Sequence, residues 1–157
     1  MAEHGVSALQ ALFRGEVDLV QSAPSQAFSS AQKGEKPPAL HFAQINNTDG
    51  FFIVGRTPES DFTIKNLRGH RVIVDHGGQP LHMFNYACQK AGLQLEEFEA
   101  IDAGSADEMA AAFRHGEGDY VHLQGPAPQQ LEAEGSGVVV GRVGDWVGRC
   151  AFSSLAS

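Results

Sequence analysis

The stretch FRHGEGDYVHLQGP, residues 113–126, decides the fold because the chain writes it nearly twice. Residues 13–24 read FRGEVDLVQSAP, so Gly15, Glu16, Asp18 and Val20 recur as Gly116, Glu117, Asp119 and Val121. In the later copy, Ser105 with Glu108 forms a capping box that opens a helix with Met109, Ala112 and Phe113 facing inward. Gly116 closes that helix, DYVHL (119–123) is a strand, and Gly125-Pro126 opens the next helix. In the earlier copy, Val6, Leu9, Leu12 and Phe13 are at helical spacing, Gly15 caps, and VDLVQ (17–21) is a strand. SAPSQAFSSAQKG follows as a helix, with Ser22 a candidate N-cap. The repeated corner is therefore helix, glycine turn, strand, helix. Copies about a hundred residues apart are too distant and too few for a solenoid and suit two similar lobes. The Asp of the GE-x-D element reads as a turn or cap residue.

The segments between the copies continue the alternation. ALHFAQI (39–45) and FFIVG (51–55) are strands around the turn signal NNTDG, after Gly34 and Pro37-Pro38 stop the preceding helix. Residues 56–70 form a loop with at most one short turn. RVIVD (71–75) is a β-branched strand. A helix from Pro80 to Ala91 buries Leu81, Phe84, Cys88 and Ala91, and Gly92 caps it. EFEAI (97–101) and VVVGRV (138–143) are strands, and RCAFSSL (149–155) is the last. Alternating strands and helices predict an α/β fold of mostly parallel sheets flanked by helices.

Composition narrows the function. The chain has 157 residues, 42% of them apolar, and 18 glycines, enough for a core with many tight turns. A formal net charge of −8 with no basic patch argues against a nucleic-acid partner. No segment approaches the run of about 18 apolar residues that a membrane helix needs. The opening MAEHGVSALQALFRGE has no basic segment, apolar core or cleavage site of a secretory signal, which predicts a cytoplasmic chain as it stands. The two cysteines, Cys88 and Cys150, have no metal-ligand spacing, and the seven histidines are scattered, so no metal or cofactor is predicted. Cys88 falls on a buried stripe. His115 and His122 flank a strand and read as surface or partly packed residues.

In α/β sheets, ligands bind beyond the carboxyl ends of strands, where helix N-termini offer free N–H groups. Four loops qualify: Ser22–Ser25, Asp75–Gln79, Asp102–Ser105 and Gln124–Pro126. Each also reads as a tight turn or helix cap, and Ser105 is accounted for by its capping box. His76-Gly77-Gly78-Gln79-Pro80 is the least economical as a mere turn, since two glycines before a helix suit an anion or carboxylate seat. It is neither GxGxxG nor a phosphate loop, and GxSxG and HExxH are absent.

Taken in order, ALFRGEVDLVQSAPSQAFSSAQKGEKP, NNTDGFFIVGR, LRGHRVIVDHGGQPLHMFNYACQKAGL and GEGDYVHLQGPAPQQLEAEGSGVVV resemble substrate-binding proteins of ABC transporters. The nearest branch is the nitrate, sulfonate and taurine type, related to the thiamine-precursor proteins. The resemblance implies a type II periplasmic-binding-protein fold, with two α/β lobes and a ligand in the cleft. It implies a partial first lobe with crossover strands at 1–55, a second lobe at 56–148, and a return strand at 149–157. Carried over by position, Ser22 and Ser25 would line the cleft from the first lobe and Asn47, Thr48 and Asp49 the crossover. His76, Gly77, Gly78, Gln79, Gln124 and Gly125 would line it from the second. Their hydroxyls, amides and helix N-termini would hold an anionic or polar organic molecule. Measured against the family, the chain is truncated at both ends, which implies a homodimer that completes the first lobe. A membrane permease is implied as partner only if the chain is exported, and the family's compartment is periplasmic.

Two other functions stay open at this point. One is an enzyme on the same fold, of thiamine-precursor or menaquinone-pathway type, with Asp49, Asp75 or His76 as acid or nucleophile. The cysteine-rich motif of hydroxymethylpyrimidine-phosphate synthase is absent. The other is an oligomeric gene fragment that keeps the fold without a ligand.

Overall fold

The computed structural model describes residues 8–37, 39–75 and 77–157. Val6 at the expected start of the first helix, Pro38 in its stop signal and His76 in the glycine loop lie outside the described residues. The chain divides into two compact units, Met1–Thr48 with Arg149–Ser157, and Asp49–Gly148.

The first unit is built around a three-stranded sheet. Helix α1 (Ala8–Phe13) leads to β1 (Val20–Ser22), and a 3₁₀ turn over Pro24–Ala27 runs into the short α2 (Phe28–Gln32). β2 (His41–Asn46) and β8 (Ser153–Ala156) complete the sheet in the order β1-β8-β2, with β8 antiparallel to both neighbours. Its small core joins Leu9, Val20, Ala39 and Ala156. Phe13, Phe28, Leu40, Phe42 and Ile45 are exposed, Leu40 at 71%.

The second unit holds a five-stranded mixed sheet flanked by helices. Its strands are β3 (Phe51–Gly55), β4 (Arg71–Val74), β5 (Glu99–Asp102), β6 (Tyr120–Gln124) and β7 (Val138–Arg142). The order is β5-β4-β6-β3-β7. β5, β4 and β6 run parallel, because α3 (Gly78–Ala91) and α4 (Ala106–Arg114) carry the chain back after β4 and β5. β3 is antiparallel to β6 and β7. The parallel sheet expected from the sequence is thus confined to β4, β5 and β6. NNTDG is not a hairpin: β2 pairs with β8 and β3 with β6 and β7, so the turn hands the chain from one unit to the other.

The repeated corner has the same hydrogen bonds in both units. Gly15 and Gly116 have φ of 68° and 91°, a left-handed conformation that glycine adopts without a Cβ penalty. Gly15 N–H donates to Leu12 O and Glu16 N–H to Ala11 O, while Gly116 N–H donates to Phe113 O and Glu117 N–H to Ala112 O, all at 3.0 Å. These bonds satisfy the last helical carbonyls. Asp119 is a turn residue: its Oδ2 accepts Arg71 N–H at 2.8 Å. Arg56 fastens the second corner. Its Nη1 donates to Phe113 O at 2.7 Å, its Nε and Nη2 to Gly118 O at 3.1 and 2.7 Å, and Nη2 also to Glu117 O at 2.6 Å. The guanidinium lies 3.6 Å from the centroid of the Phe113 ring.

Phe113 belongs to the main core with Val54, Ile73, Met109, Val121, Leu123 and Leu131. Leu131 comes from α5 (Ala127–Ala133), the helix that follows β6. Ser105 caps α4 as its spacing predicts, accepting Glu108 N–H and receiving the Glu108 carboxylate on its own N–H. Phe84 and Cys88 are buried on α3, whereas Leu81 and Ala91 are half-buried; Ala87 takes the central place in that stripe. Burial pushes the Cys88 thiol up to about 12, so it is an inert core residue. Neither Cys88 nor Cys150 is in a disulfide. One element goes beyond the sequence expectation: α6 (Val143–Val147) follows β7 directly, and Trp146 packs beside Gly141 and Phe62.

Candidate binding site

In the first unit, the parallel ends of β1 and β2 bring polar side chains together. Ser22 ends β1 opposite Ser154, and Asn46 ends β2 opposite Ser153. Gln21 Nε2 donates to Ser153 Oγ at 3.1 Å, Ser153 Oγ donates to Asn46 Oδ1 at 3.2 Å, and His41 Nδ1 lies 2.6 Å from Ser154 Oγ. Ser22 Oγ and His41 Nε2 are buried without a hydrogen-bond partner. Such atoms cost free energy unless something polar reaches them. Ser22 is a buried sheet residue rather than a helix N-cap, since Ala23 precedes the 3₁₀ turn. Ser25 lies half-buried within that turn, where its carbonyl accepts Phe28 N–H.

Past the end of β2 is a cavity of about 580 Å³ lined by Gln44, Ile45, Asn47, Arg149, Cys150 and Ala151. Cys150 N–H donates to Asn47 O at 2.9 Å and Phe152 N–H to Asn46 O at 3.1 Å, which fixes the segment 149–152 along β2. Asn47 lines the cavity as its position in the turn predicts, and Thr48 beside it is exposed. Arg149 and Gln44 were not among the residues singled out from the sequence. The last strand begins at Ser153 rather than at Arg149, so Arg149 is a loop residue. The only sequence signal for it is a lone Arg between Gly148 and Cys150 where the chain returns to the first unit. Its guanidinium gives this polar cavity its cationic group, one suited to planar carboxylate or sulfonate oxygens.

In the second unit, the other predicted residues collect at one end of the mixed sheet. Register sets Phe51 opposite Gln124 and Val72 opposite Tyr120, so the start of β3 lies beside the carboxyl ends of β6 and β4. Asp49, Gln124 and Gly125 stand there, with Gly125 N–H directed to Gly50 O at 3.5 Å. Asp49 is buried: its Oδ1 accepts Phe51 N–H at 2.7 Å and its Oδ2 has no partner. Burial, only partly offset by that hydrogen bond, pushes its carboxyl up to about 6. Gly77 and Gly78 precede and open α3. Gly77 N–H donates to Asp75 Oδ1 at 3.2 Å, and Gly78 has φ of 66°. Gly77 is the N-cap of α3, so no N-cap side chain bonds the first turn, and no acidic residue stands in that turn. Gln79 lies half-buried in that first turn.

His122 corrects the sequence expectation of a surface or partly packed residue. It is fully buried on β6, with its ring 4.6 Å from that of Phe51 and 5.0 Å from that of Phe84. Neither ring nitrogen has a partner, and burial lowers its pKa to about 3, so the imidazole is neutral. The YVHL pattern places it in a strand whose both faces are covered, and that double coverage is what hides it. Among the described residues, no group of three metal-binding side chains comes together.

No family model matches the chain. It is 29% identical over 125 residues to "Putative binding protein YtlA" of Bacillus subtilis (strain 168), covering 78% of this chain and 37% of that protein. Among solved structures it is similar to the periplasmic aliphatic sulphonate binding protein SsuA of Escherichia coli, with a TM-score of 0.75 and 19% identity, over 95% of this chain and 50% of that one. It is also similar to the alkanesulfonate-binding protein SsuA of Xanthomonas axonopodis pv. citri bound to MOPS, with a TM-score of 0.68 and 20% identity, over 98% of this chain and 52% of that one. The fold is that of the type II periplasmic binding proteins, as the ordered sequence segments imply, and the chain spans about half the length of these structures. All three of these proteins carry names of binding proteins.

Proposed function

We propose that the chain is a solute-binding module of ABC-transporter type, and that its ligand is an anionic or polar organic molecule held by polar side chains at strand ends. The observation that carries this is the cavity of about 580 Å³ that combines the Arg149 guanidinium with the amides of Asn47 and Gln44. The likeness to a sulphonate-binding and an alkanesulfonate-binding protein supports a small organic sulfonate as the first class to test. Periplasmic location and a permease partner follow from the same likeness and belong to the proposal. So does pairing with a second copy. Its support is the set of large apolar side chains exposed on the first unit, with Phe28 at 60% and Phe42 at 55%.

The test is an amide-resolved NMR titration with ethanesulfonate. Shifts are expected at Gln44–Asn47 and Arg149–Ala151, and Arg149→Ala should raise Kd about tenfold, equivalent to ~1.4 kcal/mol for one charge-assisted hydrogen-bonded contact. Equal shifts with ethylammonium, or a Kd unchanged by Arg149→Ala, would overturn the assignment.

A further inference from the structure

The second unit holds another recess, of about 320 Å³, on the side of α3 that faces β5. Its apolar walls are Leu81 of α3, Leu95 and Phe98 of the segment before β5, and Ala100 of β5 itself; Asp75 and Asp102 stand at its polar end. The recess exists because β5 is the edge strand and is covered on one side only. Ile101 turns towards α4 and packs on the main core, while Ala100 and Asp102, one residue either side, are exposed. Phe84 and Asn85 of α3 and Val74 of β4 complete the lining around the small Ala100 side chain. Leu95 is 44% exposed above it, and with Tyr86 it is one of two large apolar residues exposed in this unit among the described residues.

The two carboxylates are fixed in place. Asp75 Oδ1 accepts Gly77 N–H at 3.2 Å and Asp102 Oδ1 accepts Gly104 N–H at 2.9 Å, and parallel register sets Val74 beside Asp102. Among the described residues that line the recess there is no Lys or Arg. Its size is at the lower end of small-molecule pockets, which run from roughly 300 to 1,000 Å³ with apolar walls and a few placed polar groups.

We propose that this recess is a second small-molecule site, for an organic cation with a compact apolar body: a primary ammonium carried on an aromatic or branched alkyl group. The apolar body fits over Ala100 between Leu81, Leu95 and Phe98, and the ammonium meets Asp75 and Asp102. The ligand class is opposite in charge to that of the Arg149 cavity, and the two sites share no residue.

The test is an amide-resolved NMR titration of the whole chain with 2-phenylethylammonium, with phenylacetate and 2-phenylethanol as matched controls. Saturable shifts are expected at Leu81, Leu95, Ala100 and Asp102 for the ammonium, weaker ones for the alcohol and none for phenylacetate. Asp102→Asn keeps the turn to Gly104 and removes one charge, so Kd should rise about threefold to fivefold, in line with a half-exposed ion pair. Ala100→Leu fills the floor and should weaken binding at least about tenfold, with the remaining spectrum reporting an intact fold. If that variant does not fold, Asp102→Asn alone decides. Arg149→Ala should leave this titration unchanged, so failure here is distinct from failure at the anion cavity. Phenylacetate matching the ammonium, shifts only elsewhere, or no shift up to the solubility limit would overturn the proposal.

Discussion

Replacing Arg56 by Ala should destabilise the second unit more than any other single surface-reaching change. The side chain donates to three carbonyls, Phe113 O, Glu117 O and Gly118 O, over 2.6–3.1 Å, and covers the Phe113 ring at 3.6 Å. Hydrogen bonds with one charged partner contribute about 1.5–3 kcal/mol each, but these are not independent. Phe113 O also accepts Gly116 N–H, and the bond to Glu117 O is exposed enough for water to replace it. Only Gly118 O, deep in the turn, loses most of its coordination. About one effective bond, together with ~0.5–1 kcal/mol for the ring contact, gives a loss of about 2–4 kcal/mol. The assay is urea unfolding followed by tryptophan fluorescence, which Trp146 in the same unit reports. At a slope of about 2 kcal/mol/M the midpoint should fall by about 1–2 M. Arg56→Lys keeps charge and stem but not the fork, and should recover less than half of the loss. A change below about 0.5 kcal/mol for Arg56→Ala, or a Lys variant equal to the native protein, would refute the reasoning.

Three further outcomes follow from the same structure. His122→Phe removes two buried orphan nitrogens between Phe51 and Phe84, and urea unfolding at pH 7 should show it neutral or more stable by about 1 kcal/mol. With a folded pKa near 3 against 6.5 unfolded, native His122 binds fewer protons than the unfolded chain, so its contribution is present above pH 6.5 and is lost as pH falls towards 3; the Phe variant should lose that slope. Asp49 has the opposite sign. Its pKa is raised to about 6, so the folded state gains protons first and stability declines as pH rises from about 4 to 6; Asp49→Asn should flatten this limb and stabilise by roughly 1–2 kcal/mol at pH 7, read from the same urea midpoints. Gly137→Ala sets a methyl 2.6 Å from Val54 Cγ1 and 2.8 Å from Phe113 Cε1, and thermal unfolding should show a loss of about 1–3 kcal/mol from overpacking.

The sequence was most legible where local chemistry and tertiary packing agree. The glycine corners at Gly15 and Gly116, the Ser105 capping box and the β4–α3–β5–α4–β6 alternation are written in residues that act on their near neighbours. Strand partnership was not, because FFIVG carries the same apolar pattern whether it pairs in parallel or, as it does, antiparallel with β6 and β7. α6 was hidden by VVVGRV, whose apolar run continues to Val143, the first residue of the helix. At the candidate site, the ordered segments of the binding-protein resemblance lead to the end of β2 and the turn at Asn47, but not to Arg149. A single arginine has no periodicity, and only the return of the chain beside β2 gives it a cavity to face. His122 reads as a surface residue by its polarity, whereas Phe51 and Phe84 cover its face of β6.

Native mass spectrometry of the purified protein, gentle and then denaturing, with and without added ethanesulfonate, tests the central claim most directly. A solute-binding module predicts a folded species, paired with a second copy, that carries a small acidic or polar molecule or takes up the sulfonate, and releases it on denaturation. A bare monomer that acquires no added mass with the sulfonate present would contradict it.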